Sequence, residues 1–264
     1  YEYDVRYTID GREYNDEVTI PSTKVGEKYV LLRTYSNSID CKPVDDNVHI
    51  FVAHKFAKDG TDTKYGAITG KVHLYEINYI PANTGVVLYA GEGQEALTVK
   101  LVQASDINST NYTESLTNKD YLWKNNHASE SFNNDLVAVL TSTKVGPSVI
   151  ENDEIVARNF GLGKFSSTKA YNKDTDTDRI GFFRLMEGTM EGHKAYLQYD
   201  KGQYGIDGNS QILDKETDVN TVTFSKVMLI FEGFDDNETT GINEIISATD
   251  KAKDVYYYNL QGIR

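Results

Sequence analysis

Three alternating carboxylates, Asp174, Asp176 and Asp178, stand out in the run Asp174-Thr175-Asp176-Thr177-Asp178. Oxygen ligands at every second position are what a loop uses to present a shell to Ca2+. An EF-hand loop starting at Asp174 would need glycine at its sixth position and glutamate at its twelfth, where this chain has Arg179 and Leu185. The run therefore reads as a solvated acidic loop, with Ca2+ as the one cofactor it could hold. The second candidate is aromatic. Tyr112, Tyr121 and Trp123 could form a platform that stacks on sugar rings, set against ordinary packing beneath a long polar stretch. Trp123 is the only tryptophan, whereas sugar platforms commonly use more than one such ring.

Other reactive residue types form no pattern. The histidines are His49, His54, His73, His127 and His193, and none belongs to a His-Glu-x-x-His pair. His49 and His73 fall inside strand patterns, where a satisfied structural histidine is expected. Cys41 is the single cysteine, so the chain can form neither an internal disulfide nor a cysteine-based zinc site. It reads as a small buried hydrophobe. Neither Gly-x-Ser-x-Gly nor a glycine-rich phosphate loop with its lysine occurs. A glycosidase-type carboxylate pair is a three-dimensional property, and nothing local selects two of the 40 acids. No catalytic residue is therefore assigned.

Lys and Arg number 27 against 40 Asp and Glu, a formal net charge of −13. That excess disfavours nucleic acid, whose affinity comes largely from basic side chains neutralising phosphates. It also disfavours an anionic membrane surface. No stretch approaches 18 consecutive apolar residues, so membrane insertion by a helix is not expected. The chain begins at Tyr1 without methionine, as expected of a processed or internal start.

The elements that must position these residues read as strands. Tyr occurs 19 times and Phe 10 times, and short apolar runs alternate with Gly, Asn and Asp. Asp10-Gly11 marks a hairpin between Tyr1–Tyr7 and Tyr14–Ile20. In Tyr29–Tyr35, Val30 and Leu32 share one face and Leu31 takes the other. Val48-His49-Ile50-Phe51-Val52-Ala53 is apolar on both faces and predicts a central, covered strand. Ile80-Pro81-Ala82-Asn83-Thr84-Gly85-Val86-Val87-Leu88 predicts a strand end, a turn and a new strand, with Asn83 and Gly85 supplying positive φ. Leu97, Val99 and Leu101 alternate with Thr98 and Lys100 in half-buried fashion. Ile155–Phe160 and Gly163–Tyr171 read as two strands. Ile180–Met186 and Lys194–Tyr199 read as an antiparallel pair, and Thr221–Phe231 as the longest strand. Ser22-Thr23-Lys24-Val25-Gly26 recurs as Ser142-Thr143-Lys144-Val145-Gly146, a short echo compatible with two related halves. The resulting expectation is an all-β fold of antiparallel sheets packed as a β-sandwich or sandwiches. Its divisions are an N-terminal hairpin or the end of a preceding domain at 1–28, a first β half at 29–103, a second at 121–234, and a linker with the start of a C-terminal tail at 235–264.

Several of these segments resemble a secreted, cell-surface all-β family common in Bacteroidetes, loosely described as adhesins. The resemblance rests on Asp45–Ala53, Ile80–Leu88, Asn134-Asp135-Leu136-Val137, Gly181-Phe182-Phe183-Arg184 and His193-Lys194-Ala195-Tyr196-Leu197, in that order. Asp254-Val255-Tyr256-Tyr257-Tyr258-Asn259-Leu260-Gln261-Gly262 is similar to the start of that family's C-terminal tail, whose closing turn and strand are absent here. The resemblance implies a secreted or surface location and non-enzymatic adhesion to a protein or glycan ligand. It brings no catalytic residues. A carbohydrate-binding accessory module, a glycoside hydrolase-like enzyme and a passive spacer are the alternatives.

Overall fold

The computed structural model describes residues 7–9, 12–61, 68–103, 124, 134–165, 179–200 and 224–232. The fold is all-β, as the apolar patterning predicts, and the sheets are mostly antiparallel. In chain order the strands are β1 (Tyr7–Ile9), β2 (Arg12–Tyr14), β3 (Glu17–Ile20), β4 (Ser22–Val25), β5 (Lys28–Tyr35), β6 (Cys41–Pro43), β7 (His49–Thr61), β8 (Ile68–Ile77) and β9 (Val86–Glu92). They continue with β10 (Leu97–Gln103), β11 (Leu136–Val139), β12 (Thr143–Val145), β13 (Ser148–Glu151), β14 (Glu154–Phe165), β15 (Arg179–Arg184), β16 (Gly188–Met190), β17 (Lys194–Asp200) and β18 (Phe224–Phe231).

One large sheet dominates, in the order β11-β17-β14-β15-β18-β8-β7-β9-β5-β4, with β13 pairing alongside β14. Strands from both parts of the chain meet in it through β18 and β8, which run parallel. This sheet curls, and its concave face is filled by Val30, Leu32, Phe51, Leu74, Val87, Phe160, Phe182, Leu197 and Val227. A three-stranded sheet, β3-β10-β6, covers the opposite face of β5, β9, β7 and β8. Between these two layers lie Val18, Ile20, Leu31, Ile50, Val52, Ile77, Val86, Leu88 and Val99. That second layer explains the apolar runs in β5, β7 and β9. Their alternate residues enter two different cores, so both faces must be apolar. Phe51, Phe160 and Phe182 are fully buried, each contributing roughly 2–3 kcal/mol by removal from water.

The half-buried strand at residues 97–101 behaves as its alternation predicts, with Val99 and Leu101 inside and Thr98 and Lys100 outside. Other local expectations need correction. The Asp10-Gly11 hairpin pairs Tyr7–Ile9 with Arg12–Tyr14, leaving residues 17–20 to the covering sheet. Residues 154–165 form one continuous strand through Gly161-Leu162-Gly163, not two. β15 and β17 are not partners. β14 lies between them, paired to each on opposite edges. The Ser-Thr-Lys-Val-Gly echo also pairs differently in its two copies. Residues 22–25 pair with β5 in the large sheet, whereas 143–145 pair with β16 in a separate two-stranded sheet.

Candidate functional site

Two clusters of polar side chains are built into the curled sheet. The first lies where its flanks meet, and four of the segments quoted for the family resemblance contribute to it: Asp45–Ala53, Ile80–Leu88, Asn134–Val137 and His193–Leu197. Asn134 Nδ2 donates to the Gly85 carbonyl at 2.8 Å, while its Oδ1 accepts from the Ala53 and Leu136 amides, each at 3.2 Å. The Asp135 amide donates to the Ala53 carbonyl at 2.7 Å, and the Gln198 amide to that of Asp135 at 2.8 Å. Buried Ser36 bridges across, its hydroxyl 2.8 Å from the Lys194 carbonyl and 3.1 Å from that of Val139. His193 Nδ1 donates to the Ser36 carbonyl at 3.1 Å, and its ring stacks on Tyr35. Asn37 fixes the approach to the turn, accepting the Asn83 amide on its backbone carbonyl at 2.7 Å.

The turn before β9 uses its special residues differently from the sequence expectation. Asn83 does take positive φ, at 58°, but Gly85 does not. Gly85 is required for close approach instead: a Cβ there would sit 2.8 Å from Ala195 Cβ and 3.0 Å from Leu136 Cβ. The later turn carries the mirror of this pattern, with His193, not Gly192, at positive φ, 58°. Most of these groups are backbone amides and carbonyls, joined by the Asn134 amide and the Ser36 hydroxyl. They close the sheet, and they present no reactive atom.

The second cluster is charged. Glu76 sits near the end of β8, only 4% exposed, on the concave face shared by Val72 and Leu74. Its Oε1 accepts from His49 Nδ1 at 2.7 Å and from Lys124 Nζ at 2.8 Å. The Lys124 amide also donates to the Glu76 carbonyl at 3.1 Å. The His49 ring stacks on Tyr89, and Phe231 packs against both Tyr89 and Phe51. Burial pushes the Glu76 carboxyl up, but the hydrogen bonds and charges of His49 and Lys124 outweigh it, leaving the net value below the ordinary one. Glu76 is therefore a carboxylate at neutral pH, and His49 donates to it from Nδ1. Such a carboxylate is no proton donor. It orients an imidazole and fixes an ammonium.

Lys124 falls between β10 and β11 in the chain, and this cluster ties that residue to β8. Sequence reading missed it. The available signal was one acid within the apolar run Val72–Ile77; the distant partner Lys124 carries no local signal. The residues singled out from sequence, Asp174, Asp176 and Asp178 for metal and Tyr112, Tyr121 and Trp123 for ligand, lie outside the described residues. Among the described residues, no three His, Cys, Asp or Glu side chains are grouped to hold a metal ion. Cys41 is 1% exposed, and burial raises its thiol to about 12 against the hydrogen bond from Asn37. It is a packing residue in the second core.

No family model matches the chain, and neither a curated protein nor a solved structure matches it. The arrangement itself thus supplies the functional argument: a doubly packed sheet, closed by backbone and side-chain hydrogen bonds, with the Glu76 anchor at its concave face.

Proposed function

We propose that the protein is a non-enzymatic binding protein of the adhesin type, secreted or exposed at the cell surface, as the Bacteroidetes resemblance implies. The observation that supports this reading most directly is the Lys124 anchor. Lys124 follows Tyr121 and Trp123 in the chain, and it is held to the sheet by both its backbone amide and its ammonium. Binding residues are characteristically carried on connecting segments that a rigid scaffold positions. Between β10 and β11, β14 and β15, and β17 and β18 the chain runs through residues 104–135, 166–178 and 201–223. The first of these carries the aromatic trio and the second the acidic run. A carbohydrate-binding module is the second reading, favoured by the position of Trp123 next to the anchored residue.

The test is a binding screen of the purified chain against a glycan array and a panel of extracellular-matrix proteins, with and without Ca2+. Saturable binding to a matrix protein, unaffected by Trp123→Ala, is the expected result. Glycan binding that quenches tryptophan fluorescence and is abolished by Trp123→Ala would favour the carbohydrate module. Binding that requires Ca2+ would assign Asp174, Asp176 and Asp178 as ligands. Cleavage of an arrayed glycan, or no saturable binding to either panel, would overturn the adhesion reading.

A further inference from the structure

We draw no further inference here: the strongest candidate, the row of His54 in β7, His73 in β8 and Glu232 just past β18 on the convex face of the large sheet, carries nothing because His73 turns to Glu232 while His54 lies against Tyr75, no three such groups converge on a metal-sized site among the described residues, and nothing in the structure shows an occupant.

Discussion

The seam around Asn134 and the anchor around Glu76 both join distant parts of the chain, but they do so with opposite chemistry. The seam uses amides, carbonyls, one hydroxyl and the His193 imidazole, together with a glycine that lets two strands touch. The anchor uses one buried carboxylate between an imidazole N–H and a lysine ammonium. The amide and hydroxyl hydrogen bonds around Asn134 and Ser36 are indifferent to salt and to mild changes of pH. A buried carboxylate is not, because its stabilisation depends on its charge. The seam is therefore the permanent closure of the fold, and the anchor is its condition-dependent attachment.

The seam should give the larger losses. Asn134→Ala removes three hydrogen bonds to the backbone groups of Ala53, Gly85 and Leu136 and should cost about 3 kcal/mol. Denaturant unfolding at low and high salt checks this, and the loss should be equal in both. A salt-dependent loss would overturn the indifference to salt assigned to these hydrogen bonds. Gly85→Ala inserts a methyl group 2.8 Å from Ala195 Cβ and should cost about 2 kcal/mol through overpacking. Trimming Leu136 does not relieve that contact, so Gly85→Ala should stay destabilised in a Leu136→Ala background.

Glu76→Gln should cost about 1–2 kcal/mol at pH 7, since it keeps the shape of the side chain but discards its charge. The pH dependence separates it from the seam variants. The folded-state value of Glu76 lies below its ordinary 4.5, so its contribution is complete above that value. It is lost as pH falls through the lower, folded-state value. Thermal melts of wild type and Glu76→Gln should thus differ at pH 7 and converge on acidification, whereas wild type and Gly85→Ala should stay apart. A constant gap for Glu76→Gln would show that shape, not charge, matters there. The smallest effect belongs to Lys144 and Glu187, whose ion pair of 2.6 Å is exposed on both sides. Lys144→Ala should leave the melting temperature unchanged within error.

Much of the strand content was legible because burial leaves a local trace. The alternation at Leu97, Val99 and Leu101 and the two-faced run Ile50-Phe51-Val52-Ala53 each report directly what covers the strand. Partner choice leaves no such trace. Phe182 and Leu197 look equally suited to pair across a short turn, yet β14 separates their strands. Nothing near Leu74 signals Phe231, its register partner in β18. The role of Gly85 was half legible: the glycine marks a special position, but only the approach of Ala195 shows that space, not φ, is what it supplies. The anchor was the least legible, because a carboxylate in an apolar strand announces a partner without naming it.

The parallel pairing of β18 with β8 has a consequence for timing. Residues 224–231 fill the slot between β8 and β15, strands that precede them by about 150 and 40 positions in the chain. A growing chain that has not yet delivered these residues holds two unpaired edges in the middle of its largest sheet, the kind of surface on which strands of other molecules add. The last described strand is thus the keystone of assembly. Maturation waits on its arrival, and a chain cut short before residue 224 should accumulate as aggregate although most of its strands are already made.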